Sequence, residues 1–257
     1  VAIHATAIVD RHAELDSTVD VGPFTVIGPR VKIGPRTVIG PHVVIEGDTT
    51  LGADNRIFQF AALGAIPQDL KYAGEHTKLV MGDRNQVREF ATLHVGTAGG
   101  GGVTRIGHKN LFMANSHVAH DSQVGNGVVL ANSVALAGHV IVGDHVVLGG
   151  LTAVHQFSRI GRYAFLAGGA MVTMDIPPYC MAQGDRAQLV GINSIGLTRA
   201  GFSDELVGKI KTAYKILFRS GLGLREALAR VKAELPGQPE IDELVGFIEG
   251  SERGIAR

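Results

Sequence analysis

The sequence predicts a mainly β solenoid with a helical C-terminal part. Three observations predict it: an aliphatic residue recurs every sixth position, two interruptions break that register without ending it, and a helical period replaces it near the C-terminus. The register runs Ile3, Val9, Leu15, Val21, Ile27, Ile33, Ile39, Ile45, Leu51, Ile57 and Leu63. Neither a 3.6-residue helical repeat nor plain strand alternation gives this period, whereas a coil of short strands and tight turns returns an inward position every sixth residue.

Within each repeat the next residue is often glycine, as at Gly22, Gly28, Gly34, Gly40, Gly52 and Gly64. The residue four places on is mostly small or β-branched, as at Ala7, Thr25, Val31, Thr37 and Val43. Glycine supports turn geometry and β-branched residues suit short extended segments. The register resumes at Met81, Val87 and Leu93, then runs one residue out of phase from Ile106 to Val172. The interruptions, at about 65–80 and 97–105, are expected to be loops on one face, often the binding face of a solenoid. The repeat fails after Pro177 and Pro178, and a linker through about residue 200 is expected. The predicted division is therefore a repeat domain over 1–190 and a linker with a helical domain over 191–257.

Ser203 is a plausible N-cap, with Phe202 and Val207 as a hydrophobic staple. Leu206, Ile210, Ala213, Tyr214 and Leu217 form an apolar stripe, so a helix of about 17 residues is predicted there. Leu224, Leu228, Val231 and Leu235 predict a second helix ended by Pro236 and Gly237. Ile241, Leu244, Val245 and Ile248 predict a third.

Composition excludes several function classes. In 257 residues, 24 basic side chains balance 24 acidic ones, so no global charge favours nucleic acid or an anionic membrane. Low aromatic content and 35 glycines suit thin repeated coils. The lone Cys180 excludes an intrachain disulfide and reads as a packed structural thiol. No apolar run approaches membrane-spanning length and the N-terminal residues lack a signal-peptide pattern, so a cytoplasmic location is expected.

If three hexads make one coil, residues 18 apart stack, and Val118, Leu136 and Val154 become equivalent. His120, His139 and His155 lie just beyond these markers and are expected to form a ladder on one edge, with coils about 4.8 Å apart; His117 precedes the same edge. A single turn histidine is ordinarily a surface residue or a satisfied polar one. Four of the eleven histidines converging on one edge make a candidate active site. Two chemistries use such a cluster. Neutral imidazoles hold zinc, as in solenoid carbonic anhydrases, or one histidine deprotonates a hydroxyl for acyl transfer while a backbone N–H stabilises the oxyanion. Spacing does not separate them.

Four runs carry a resemblance: Ile66 to Glu75 (IPQDLKYAGE), His117 to Asp121 (HVAHD), Leu136 to Val140 (LAGHV) and Thr152 to Phe157 (TAVHQF). They resemble the UDP-N-acetylglucosamine acyltransferases, which open lipid A biosynthesis, and the likeness extends through both insertions, the Pro-Pro-Tyr segment at 177–179 and the helical tail. It implies a left-handed parallel β-helix of hexapeptide repeats, a homotrimer with clefts between subunits, and no metal or dissociable cofactor. It also implies transfer of an (R)-3-hydroxyacyl group from acyl carrier protein to the 3-hydroxyl of UDP-N-acetylglucosamine. The acyl-chain length and the choice between an N-acetyl sugar and a 3-amino analogue are left open.

Residue by residue, the resemblance makes His120 the general base, Asp121 its support and Gly138 the N–H donor to the oxyanion. Asp121 reaches His120 only if the backbone turns between them, because neighbours in an extended segment point to opposite sides. His117, His139, His155 and Gln156 resemble pocket residues for sugar nucleotide or acyl donor. Asp69 and Lys71 in the first insertion resemble sugar and phosphate contacts, and Gln68 lies beside them. Asn193 and Arg199 match nucleotide-contacting positions, while Ile195 stands where some members carry an acid. Gly168 resembles the position that limits acyl length, and glycine there favours a longer chain. The run Gly99 to Gly102 lacks a following Gly-Lys-Ser/Thr and reads as a flexible insertion rather than a phosphate loop. Lys209, Lys211, Lys215 and Arg219 give the first tail helix a basic bias, suited to docking an acidic acyl carrier protein.

Overall fold

The hexad predicts three short strands per coil. The computed structural model, which describes residues 2–257, contains three sheets of eleven, nine and eight strands among those residues, parallel throughout except for the last pair of the first. Strands two residues long alternate with corners, and the coil is a left-handed β-helix. Successive coils pair in the expected register of 18, for instance His117 with Ala135 and Ala135 with Ala153. The hexad residues point inward, and Ile27, Ile39, Ile45, Leu63, Leu130 and Leu136 are fully buried. Each such side chain contributes about 1.5–3 kcal/mol. At the open N-terminal end the same position is uncovered, and Ile3 is 45% exposed.

At many corners one residue takes a left-handed backbone. Asp121, His139 and Phe157 have φ of 61°, 62° and 65°, and Phe24, His42, Phe60 and Phe90 do the same on another corner. This region is unfavourable for residues with a Cβ by roughly 1–2 kcal/mol. Its recurrence at equivalent positions shows that the coil geometry imposes it. None of these residues is β-branched, and the aspartate and the two histidines among them tolerate it best.

The two insertions leave the coil between Ala65 and Lys78 and between His94 and Val103. The region expected to be a linker is instead structured. Cys180–Gln183 and Gln188–Ile192 form an antiparallel hairpin, and the first of these strands also pairs with Phe165–Leu166. The hairpin escapes the sequence pattern because it abandons the hexad, yet it still satisfies its backbone on the sheet edge. Helix α1 (Ser194–Arg199) follows, also within the expected linker, capped by Asn193. Then come α2 (Asp204–Arg219), α3 (Leu224–Glu234) and α4 (Pro239–Glu249), at the three predicted places. Ser203 caps α2 by accepting from Leu206 N–H at 3.2 Å. Among the described residues no helix is long and apolar enough to cross a membrane. Cys180 is buried, and burial pushes its thiol well above the usual range.

The chain end returns to the solenoid. Asp175, 1% exposed, receives Arg159 N–H at 2.8 Å, Arg159 Nε at 3.0 Å and Ser251 Oγ at 2.8 Å. Its carbonyl accepts from Ala256 N–H at 3.0 Å. This buried acid seats the C-terminal tail against the last coils, close to the histidine corner.

Candidate active site

The corner that follows the second sheet brings the histidines together. In one coil it contains Ala119, His120 and Asp121, in the next Ala137, Gly138 and His139, and in the third His155, Gln156 and Phe157. Position by position, His120 therefore lies against Gly138, and Asp121 is followed by His139 and Phe157.

The backbone does turn between His120 and Asp121, because Asp121 occupies the left-handed region. Its carboxylate folds back, and His120 Nδ1 lies 2.8 Å from Asp121 Oδ2. Two further donors reach the same carboxylate. Thr97 N–H donates to Oδ1 at 2.9 Å and Thr97 Oγ1 donates to Oδ2 at 2.6 Å. The Asp121 side chain is wholly buried, whereas His120 is 12% exposed and meets solvent at one edge. A carboxylate beside Nδ1 places the imidazole proton there and leaves the Nε2 lone pair as an acceptor.

Gly138 makes room for this imidazole. A Cβ on Gly138 would stand 2.5 Å from His120 Cε1 and 2.6 Å from Nε2. Among the described residues no carbonyl takes the Gly138 N–H. His139 meets the His120 ring edge-on at 5.0 Å between centroids and stacks on Phe157 at 4.4 Å. Burial lowers the His139 pKa, opposed by the charge of Asp121 and reinforced by His120.

The expected ladder of His120, His139 and His155 is corrected here, because Phe157 and not His155 is the third rung. Strict counting in eighteens from Asp121 through His139 leads to Phe157. His155 stands two residues earlier, on the other side of the corner. There its Nδ1 lies 2.7 Å from Arg253 Nη2 and 3.0 Å from Gln156 O.

Three connected hollows of about 690, 550 and 460 Å³ share His139 and Phe157 as walls. Gln68, Asp69, Lys71, His120 and Gln156 line one of them, so the first insertion does face the histidine corner. The second adds Glu75, Thr97, Ala98 and Gly99, and the largest reaches Asp121, Arg159, Asp175, Glu252 and Arg253.

His117 is close to the site but bound elsewhere. Its Nδ1 lies 2.7 Å from Thr92 Oγ1, and its ring meets His94 edge-on at 4.8 Å. Burial, then the neighbouring His120, lowers the His117 pKa. His94 is a histidine that the hexad reading misses. It is 5% exposed, its Nδ1 has no hydrogen-bond partner among the described residues, and burial first, with His117 and His120 behind it, lowers its pKa to about 4. The second insertion hides its place in the sequence, because it puts 25 residues instead of 18 between the paired Leu93 and Val118.

Gly168, Asn193 and Arg199 are not brought to this corner. Gly168 lies on the corner before the second sheet, and a Cβ there would come 3.2 Å from Gly150 O, so coil packing by itself favours a small residue. Asn193 Oδ1 accepts from Gly196 N–H at 3.1 Å and its Nδ2 donates to Tyr163 O at 2.9 Å. Arg199 and Ile195 are exposed on α1. Of the basic residues on α2, Lys209 pairs with Glu205 at 2.7 Å and Arg219 donates to Leu189 O at 2.7 Å, whereas Lys211 and Lys215 face solvent.

His120, Asp121 and His139 offer ligand atoms within 4.8 Å of one another. A cation on Asp121 Oδ2 would displace both Thr97 Oγ1 and His120 Nδ1 from it. His155 is not among these three and stands on the other side of the corner beside Arg253. This geometry suits proton transfer better than metal ligation.

The C-terminal residues 175–256 match the family model described as Udp N-acetylglucosamine O-acyltransferase; Domain 2. Residues 16–47 match the bacterial transferase hexapeptide model. The chain is 62% identical over 255 residues to the acyl-[acyl-carrier-protein]--UDP-N-acetylglucosamine O-acyltransferase of Myxococcus xanthus, covering 99% of each. LpxA from Acinetobacter baumannii superposes with a TM-score of 0.97 at 45% identity, each chain covered in full. The Arabidopsis UDP-N-acetylglucosamine acyltransferase gives 0.86 at 32% identity, over 99% of this chain and 100% of that one.

Proposed function

Because the chain belongs to the UDP-N-acetylglucosamine O-acyltransferase family, we propose that it moves an (R)-3-hydroxyacyl group from acyl carrier protein to the 3-hydroxyl of UDP-N-acetylglucosamine. This is the first step of lipid A biosynthesis. The observation that carries the reading is the His120 Nδ1 to Asp121 Oδ2 contact of 2.8 Å, on the wall of a hollow shared with Asp69 and Lys71.

In the reaction, His120 Nε2 takes the proton of the sugar hydroxyl as its oxygen attacks the thioester carbonyl carbon. Negative charge moves to the former carbonyl oxygen, where the Gly138 N–H donates to it. Collapse of the tetrahedral intermediate re-forms the carbonyl, breaks the carbon–sulfur bond and expels the carrier's thiolate, which receives the proton from His120. Asp121 holds the imidazole by its Nδ1 proton throughout. Lys71 neutralises diphosphate charge, and Gln68, Asp69, His139 and Gln156 position the sugar.

A homotrimer suits this reading. Exposed Arg199 and the buried Asn193 that caps its helix stand away from His120, and a cleft between two subunits would bring this helix and His120 onto one ligand. Lys211 and Lys215 supply an exposed basic face for an acidic carrier protein. A cytoplasmic location follows, since nucleotide sugars and acyl carrier proteins are products of cytoplasmic metabolism. The test is a direct assay with UDP-N-acetylglucosamine and carrier proteins bearing short, medium and long (R)-3-hydroxyacyl chains. His120→Ala is expected to lower kcat by roughly a thousandfold or more while leaving the oligomer intact. A variant that keeps most of its activity would remove His120 as the base.

A further inference from the structure

The second insertion reads as a flexible loop, but its residues close over the Asp121 carboxylate. Thr97 begins the single turn Ala98–Gly100 and stands at its N-cap, where a threonine hydroxyl ordinarily accepts from a backbone N–H of the turn. Here the hydroxyl makes no such bond. It donates instead to Asp121 Oδ2 at 2.6 Å, while the Thr97 N–H takes Oδ1 at 2.9 Å. One residue thus holds both carboxylate oxygens and fixes the plane in which Oδ2 faces His120.

The turn does not need that hydroxyl to keep its shape. Thr97 O accepts from Gly100 N–H at 3.1 Å and from Gly102 N–H at 2.8 Å. The glycines lie close against the same group. A Cβ on Gly100 would fall 2.1 Å from Asp121 Cγ, and one on Gly96 would fall 2.7 Å from Oδ1. From the other side, Asp121 N–H donates to Thr104 Oγ1 at 2.8 Å. The absent side chain at Gly100 is therefore required by the carboxylate beneath it and not by loop mobility.

We infer that Thr97 is a positioning residue for the acyl transfer, acting through Asp121, and that the segment Gly96–Gly100 is the backbone strap that seats and dries this carboxylate. The inference rests on the reading of His120 and Asp121 as the working pair. Thr97 is buried and spends both its N–H and its hydroxyl on Asp121, so it acts by setting the direction from which Asp121 holds the His120 ring. Its loss is felt in the chemical step rather than in sugar binding.

The experiment compares Thr97→Val, Thr97→Ser and Gly100→Ala in the full-length enzyme with UDP-N-acetylglucosamine and the best hydroxyacyl carrier protein of the panel. Thr97→Val is expected to lower kcat by roughly ten- to a hundredfold, as loss of a hydrogen bond to a carboxylate would, with KM for the sugar nucleotide within about twofold. Thr97→Ser, which keeps the hydroxyl, restores most of the rate. In an Asp121→Asn background the Thr97→Val loss shrinks to little, because both changes remove the same alignment. A folded Thr97→Val enzyme with wild-type kcat overturns the inference, as does a full additional loss in the Asp121→Asn background. Should Thr97→Val fail to fold, Gly100→Ala decides in the same way: lowered kcat at constant KM supports the strap and unchanged kcat overturns it. If His120→Ala stays active, the base assignment falls instead, and the two failures are distinct.

Discussion

Gly138 shows how much a missing side chain decides at the scale of one residue. The family resemblance assigns it for its N–H, whereas its packing gives a second reason, since the His120 ring fills the space a Cβ would need. Gly138→Ala keeps the N–H and separates the two. It is expected to tilt His120 off Asp121 and lower kcat by roughly a hundredfold with little change in KM, a displacement of about 1 Å being enough. Steady-state kinetics beside a urea midpoint would check it, and near-normal kcat in a stable variant would show that the ring has room to spare. The register of 18 was legible from aliphatic residues alone, and it leads from Asp121 through His139 to Phe157. Phe157 escapes a search for histidines, since its place on the corner depends on position and not on residue type. Thr97 and His94 were not legible, since their importance comes from partners across the coil and neither belongs to a periodic pattern.

The two insertions act on the site as a linked pair of elements. Glu75 in the first accepts from Ala73 N–H at 2.8 Å through Oε2, and from Ala98 N–H in the second at 3.2 Å through Oε1. Its own backbone N–H first, and then those of Ala73 and Ala98, hold its carboxyl below the usual carboxylate range. The loop bearing Asp69 and Lys71 is thereby tied to the strap over Asp121. Glu75→Ala cuts the tie but leaves Thr97 on Asp121, so KM for UDP-N-acetylglucosamine is expected to rise by roughly tenfold and kcat to fall less. Initial-rate measurements over a range of sugar-nucleotide concentrations test this, and an unchanged KM would count against the coupling. The broken hexad located both insertions, and helical spacing located α2, α3 and α4. It gave no hint of the hairpin at 180–192 or of α1, because short strands and a single helical turn stabilised by tertiary contacts leave no period to read.

For the whole molecule, the long aliphatic core makes the histidine corner a set of imidazoles partly withdrawn from water, and this links folding to pH. An imidazole in the unfolded chain takes a proton near 6.5, whereas His94 in the fold does so only at about 4. Between these limits the unfolded chain binds a proton that the folded chain refuses. Stability is therefore complete above pH 6.5 and declines as pH falls toward 4, by about 3 kcal/mol for this site alone. His117 and His139, lowered chiefly by burial, add in the same direction. Asp10, Asp16, Asp54 and Glu75 have lowered carboxyls, and their contribution is lost as pH falls from the ordinary carboxylate value down through the lowered one, below most of the histidine window. Urea midpoints at fixed protein concentration, taken between pH 7 and 4, are expected to fall steadily in the natural sequence. His94→Leu removes the group and fills much of its volume, so its midpoints should fall with a clearly shallower slope. Equal slopes for the two proteins would place the acid sensitivity elsewhere in the histidine corner, on His117 and His139, and would mean that His94 is protonated in the folded state as readily as in the unfolded one.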